Sequence, residues 1–168
     1  MLVAMPESLK AEHEDLWADL ERAIRIGGRI GEAARALEPL VRLHFRREDD
    51  TVLLALGLLH TVAQGKVAPG MREIVVMADR LKTELPEMLA EHDQIRKTLE
   101  RLGQEATKQG RPQVAYFAAR LLHHASLEEE VLYPAAIVLG EYLKSRLAPF
   151  EALPSNEESR SAETAAPA

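Results

Sequence analysis

Apolar residues recur three and four positions apart along most of this chain, the spacing of a helix with one buried face. The first run is Leu9, Leu16, Leu20, Ala23 and Ile24, and it begins just after Pro6-Glu7-Ser8. Proline in a first turn and early acidic residues both suit a helix start. Gly27-Gly28 is the natural place for that helix to end. A second run, Leu37, Leu40, Val41, Phe45, Val52 and Leu56, predicts a helix from about Glu32 to Leu56, with Pro39 bending it or marking its first turn. Gly57 to Gly70, punctuated by Gly65 and Pro69-Gly70, reads as a helix end followed by a loop.

Helical spacing resumes from Met71 to Leu102. The segment Thr83-Glu84-Leu85-Pro86-Glu87 predicts a division there, with Thr83 capping a new helix. Met71–Lys82 is then an extra helix or lid, and Glu84–Gly103 is the third main helix. After a turn at Gln109-Gly110-Arg111-Pro112, a fourth helix runs to about Leu147, with a kink expected at Pro134. The predicted fold is all-α. It is an antiparallel up-and-down four-helix bundle over residues 1–150, with the extra helix or lid between helices two and three. Residues 151–168, rich in Ser, Glu, Ala and Pro without apolar periodicity, predict a disordered tail.

Composition narrows the chemistry. At 168 residues, 46% hydrophobic, the chain is long enough to bury one core. It has no cysteine, so disulfides, thiolate ligands and cysteine nucleophiles are excluded, and any metal must be held by nitrogen and oxygen. A net charge of −6 argues against a nucleic-acid surface, which would be basic. No apolar run approaches the roughly 20 residues of a membrane span. Met1 to Lys10 lacks a basic stretch followed by an apolar one, so the expected location is the cytoplasm.

Histidine placement carries the chemical signal. His44 and Glu48 are four residues apart, as are His124 and Glu128, so each pair lies on one helix face about one turn apart. Each pair is preceded at similar distance by another histidine, His13 or His92. The surroundings repeat too. Ala11-Glu12-His13-Glu14-Asp15-Leu16 resembles Ala90-Glu91-His92-Asp93-Gln94-Ile95, and Arg42-Leu43-His44 resembles Leu122-His123-His124. A bundle with a pseudo-twofold axis would bring the four histidines to one level of its core.

Four imidazoles and two carboxylates suit a pair of iron or manganese ions better than one zinc, which closes with four ligands. If His13 and His44 serve one ion and His92 and His124 the other, Glu48 and Glu128 can each bridge both. Even with an oxo or hydroxo bridge, each ion is left short of octahedral, and dioxygen, peroxide or nitric oxide could bind at the open positions.

The two His/Glu pairs resemble the hemerythrin-like HHE cation-binding domain. His124-Ala125-Ser126-Leu127-Glu128-Glu129-Glu130-Val131-Leu132-Tyr133-Pro134 resembles its fourth-helix signature, and Glu91-His92-Asp93-Gln94-Ile95-Arg96 its third-helix motif. The resemblance covers roughly Ser8 to Leu147. It implies a left-twisted up-and-down bundle around a non-haem di-iron centre. Members of that family bind dioxygen, sense oxygen or iron, handle peroxide, or help repair iron centres damaged by nitric oxide. The oxygen carriers have a fifth histidine one turn along the third helix, where this chain has Met88 and Arg96. They also use a five-residue His-to-Asp step on the last helix, where this chain has a four-residue His-to-Glu step. Both departures point away from reversible carriage and toward the sensing, repair and stress members.

The expected metal ligands are therefore His13, His44, Glu48, His92, His124 and Glu128, and the expected cofactor is two iron ions, with manganese or zinc as substitutes. The expected partner is a small diatomic ligand or peroxide, and the chain is expected to be a monomer or weak homodimer. Peroxide handling and iron-centre repair are open as enzymatic activities. A helical interaction module with a degenerate or zinc-occupied site is the alternative. Among the remaining residues, Glu12 and Glu91 either orient a ligand histidine or sit on a solvated face, while Asp49, Asp50, Glu129 and Glu130 read as surface carboxylates. Arg46 and Arg47 are expected to pair with nearby acids. Phe117 is expected above the metals, and Trp17 in the core, at a helix interface or beside a pocket. Tyr116 is a packing residue or a neighbour of the metals. His123 is a rim residue, about 100° round the helix from His124. His60 has no metal role.

Overall fold

The computed structural model describes residues 4–147. The tail expected at 151–168 lies outside them. Helices α1 (Glu7–Ile26), α2 (Gly28–Asp50), α5 (Arg72–Lys108) and α6 (Pro112–Leu127) form the bundle, and α6 continues through a π-helical turn, Glu128–Leu132, into α7 (Tyr133–Leu147). Between α2 and α5 lie α3 (Val52–Leu56), α4 (Leu59–Ala63) and a 3₁₀ turn, Pro69–Met71. Among the described residues there is no strand, and no helix is long and apolar enough to cross a membrane.

The buried apolar side chains fall into two clusters. One holds Leu16 and Leu20 of α1, Leu37 and Val41 of α2, Ile95 and Leu99 of α5, and Phe117 and Leu121 of α6. The other holds Val52 and Leu53 of α3, Ile74 and Met88 of α5, and Tyr133 and Leu139 of α7. The first cluster gives way to the second near His13, His44, His92 and His124, with Phe45 the one first-cluster residue past His44 on α2 and the second cluster resumed by α3 and α7. In α1 and α5 the first cluster follows the histidine, and in α2 and α6 it precedes it. The helices therefore alternate in direction, and α1 touches α2 and α6 while α5 touches the same two. The result is a closed up-and-down ring in which a polar layer separates two apolar ones.

Several boundaries differ from the sequence reading. Helix two begins at Gly28 rather than near Glu32, because Gly27 and Gly28 turn the chain at once with φ of 74° and 55°. It stops at Asp50, where the Thr51 hydroxyl donates to the Arg47 carbonyl and the chain restarts as α3. The division expected at Thr83–Pro86 is absent, and Met71–Lys82 is not a separate lid. Residues from Arg72 onward form the opening turns of α5, which carries Pro86 inside it. Thr83 is not a cap: its hydroxyl bonds back to the Asp79 carbonyl at 3.0 Å. Losing one backbone hydrogen bond at Pro86 is tolerated because Ile74 and Leu81 anchor one end of the helix and Ile95 and Leu99 the other. The lower half of α5 packs closely on α7, where a Cβ added at Gly140 would lie 2.2 Å from that of Ala78.

Candidate metal centre

All six side chains singled out by the repeat converge in the polar layer. His44, His92 and His124 are each 1% exposed, His13 6%, Glu48 0% and Glu128 1%. They form two groups, His13, Glu48, His124 and Glu128, and His44, Glu48, His92 and Glu128, in each of which the donor atoms lie within 4.8 Å of one another. The grouping expected from sequence, His13 with His44 and His92 with His124, is therefore corrected. The Nε2 atoms of His13 and His124 are 3.1 Å apart, and those of His44 and His92 are 2.7 Å apart. The pairs cross between the halves because α1 also borders α6, and α2 also borders α5.

Each carboxylate spans both groups. Glu128 Oε1 is 2.6 Å from His124 Nε2 and 3.7 Å from His13 Nε2, while Oε2 is 3.3 Å from His92 Nε2 and 3.9 Å from His44 Nε2. Glu48 Oε2 is 3.6 Å from His13 Nε2, and its Oε1 is 3.4 Å from His44 Nε2.

The outward nitrogens obey the same repeat. His13 Nδ1 donates to Asp49 at 3.1 Å, and His92 Nδ1 to Glu129 at 2.6 Å. His44 Nδ1 donates to Glu91 at 3.0 Å, and His124 Nδ1 faces Glu12 at 3.5 Å without a hydrogen bond. Of the two readings left open for Glu12 and Glu91, the structure favours the orienting one for Glu91, while Glu12 stands beside His124 without bonding it. Asp49 and Glu129, read as surface carboxylates, have that role as well. The signal that could have found them is their shared place in the repeat, each directly after Glu48 or Glu128. A carboxylate accepts only, so at His13, His44 and His92 a proton stands on Nδ1, and in the neutral ring the Nε2 lone pair faces inward. Carboxylates holding histidines in this way are the usual outer support of a metal ligand.

Inward-facing lone pairs beside carboxylate oxygens repel unless something positive lies among them. Glu48 Oε2 and both oxygens of Glu128 are buried without a hydrogen-bond partner. A buried charge in that state is costly. The donor set thus fits cations, and in their absence protons must substitute. Burial would lower His44, but the carboxylates of Glu48, Glu128 and Glu91 together outweigh it and bring the imidazole to about 10. Burial and the charge of Glu128 push Glu48 up. Burial would raise Glu128 too, but the four surrounding imidazoles hold it well below the usual carboxylate range.

Tyr133 completes the layer. Its hydroxyl donates to Glu48 Oε1 at 2.5 Å and lies 3.4 Å from His92 Nε2. Burial and the charges of Glu48 and Glu128 hold it protonated. Regular helical spacing from Glu128 points to Leu132, but the π turn, closed by the Tyr133 N–H on the Glu128 carbonyl, widens the helix by one residue and brings Tyr133 inward. Pro134 is the local cause, since it has no N–H for the Glu130 carbonyl and its ring crowds that oxygen. Tyr116, by contrast, is 67% exposed and takes no part. Phe117 packs in the first apolar cluster, while Phe45 stacks directly on His13 with ring centroids 3.9 Å apart. His60 and His123 are exposed, and Arg47 pairs with Glu91 at 2.9 Å.

A helical bundle whose core is interrupted by a buried layer of imidazoles and carboxylates, short of protons and hydrogen bonds, is a metal-binding protein. The match to known families agrees: the chain belongs to the hemerythrin family, with the hemerythrin HHE cation-binding domain matching residues 4–136. No curated protein and no solved structure matches it significantly.

Proposed function

We propose that the chain is a non-haem di-iron protein that binds or reacts with dioxygen, peroxide or nitric oxide. His13 and His124 would hold one ion and His44 and His92 the other, with Glu48 and Glu128 spanning both. The observation that carries this reading is the double cluster of buried, unsatisfied acceptors. Mixed imidazole and carboxylate ligation suits iron. Iron in these positions would supply open coordination sites and a redox change for a small oxidant.

The residues around it have separable tasks. Asp49, Glu91 and Glu129 fix the ring orientations of His13, His44 and His92 from outside. Arg47 and Arg96, 2.9 Å from Glu91 and 2.8 Å from Glu129, keep two of those carboxylates ionised. The Tyr133 hydroxyl supplies a donor inside an otherwise accepting layer, while the apolar clusters on either side exclude bulk water.

Each group also offers the four donors that zinc takes, which favours a zinc-holding structural module as the second reading. Protein purified without added metal should carry about two iron atoms per chain by elemental analysis, as two mixed nitrogen–oxygen sites imply. Its near-ultraviolet spectrum should change on adding hydrogen peroxide. Zinc in both positions, with no spectral response, would support the module instead. Oxygen evolution from peroxide at the rate of free iron only would remove a catalase-like activity while leaving binding intact.

A further inference from the structure

The repeat is broken around the centre, and the breaks are informative. Phe45 follows His44, whereas its counterpart after His124 is Ala125. Tyr133 stands where the first half has Leu53. The two metal positions therefore differ in their surroundings although their donors match.

On the side of His44 and His92, the layer is closed. Tyr133 lies against His92 with ring centroids 5.8 Å apart and its hydroxyl on Glu48, and Arg47 and Arg96 lock the outer carboxylates. On the other side, His13 is the most exposed of the four histidines. Asp49 and Glu12, the carboxylates facing His13 and His124, have no Lys or Arg partner among the described residues. A pocket of about 350 Å³ opens at His13 and is lined by Trp17, Arg42, Phe45 and Asp49. Phe45 lines that pocket together with His13 and packs on the centre, stacked on His13 at 3.9 Å and edge-on to His124 at 5.8 Å.

We infer that exogenous ligands reach the centre through the pocket between Trp17 and Phe45, arriving first at the position held by His13 and His124, with the Phe45 ring as the gate. This rests on the proposed di-iron reading and adds to it a direction of approach. The mouth carries mixed charge, with Arg42, stacked over Trp17 at 4.5 Å, and Arg46 set among Glu14, Asp49 and Asp50, so azide serves as the probe for its absorption on iron and not for its charge.

The test is stopped-flow binding of azide to iron-loaded, oxidised protein, read by the absorption of the azide complex, with iron content measured on each sample. Phe45→Leu keeps an apolar contact on His13 but shortens the gate, and it should raise the association rate about tenfold, since association is slowed when a conformational change must come first. Trp17→Ala, which widens the mouth without touching the metal layer, should raise it in the same direction. If Phe45→Leu loses iron, Trp17→Ala alone decides. Unchanged association rates in the variants that retain iron would overturn the route. Failure of the iron-loaded wild type to bind azide at all would instead remove the di-iron reading on which the route depends.

Discussion

Glu128→Ala should strip the protein of both metal ions, not one. Glu128 turns one oxygen toward His13 and His124 and the other toward His44 and His92, so its loss removes a donor from each group at once. It also leaves four inward imidazoles with one buried counter-charge fewer, which weakens their hold on cations. The loss of affinity should exceed the roughly 10–100-fold that follows removal of an outer hydrogen-bond partner. Glu129→Gln provides that comparison, because His92 is the one ligand histidine that Glu129 touches, at Nδ1 from outside. Elemental analysis of both variants after identical purification measures the difference. A full metal complement in Glu128→Ala would show that the carboxylate does not bridge.

Removing the metal should lower thermal stability, and by more at alkaline than at acidic pH. An ion held at a thousandfold its Kd contributes about 4 kcal/mol. For a chain of this size that is roughly 10 °C in Tm, at about 2–4 °C per kcal/mol. The pH dependence comes from the protons that replace the metal. His44 in the metal-free protein stands at about 10 against an ordinary 6.5. A raised value means that its contribution to metal-free stability is complete below 6.5 and is lost as pH climbs through about 10. Glu48, also raised, acts in the same sense. Glu128 is lowered, and its contribution is lost only on acidification below the ordinary carboxylate value. Metal binding must expel the His44 proton, so the bound form gains as the metal-free form weakens. Differential scanning calorimetry of loaded and chelated protein from about pH 6 to about pH 9, across the ordinary histidine range, should show a widening gap. A gap that narrows with rising pH would contradict this account of the layer.

The helices and the level of the polar layer were legible because both follow from local spacing. A histidine and a glutamate four apart share a helix face, and the near-equal steps from His13 to His44 and from His92 to His124 place all four rings at one height. Which ring shares a group with which was not legible. In a closed ring every helix has two neighbours, and the crossing of His13 to His124 depends on how each helix is rotated about its axis, a property of packing. Tyr133 was hidden for a different reason. Regular helical spacing assigns its place to Leu132, and only the π turn before Pro134 moves the tyrosine inward. The continuity of α5 through Pro86 shows the opposite error: a strong local breaker was overruled by apolar anchors on both sides of it.

The central claim is that two cations lie between crossed histidine pairs and share both carboxylates. Anomalous X-ray diffraction at the iron absorption edge, on crystals of protein purified without added metal, tests it most directly. It should give paired peaks, one between His13 and His124 and one between His44 and His92, each flanked by Glu48 and Glu128. An empty layer, a signal present only at the zinc edge, or peaks joining His13 to His44 would contradict it.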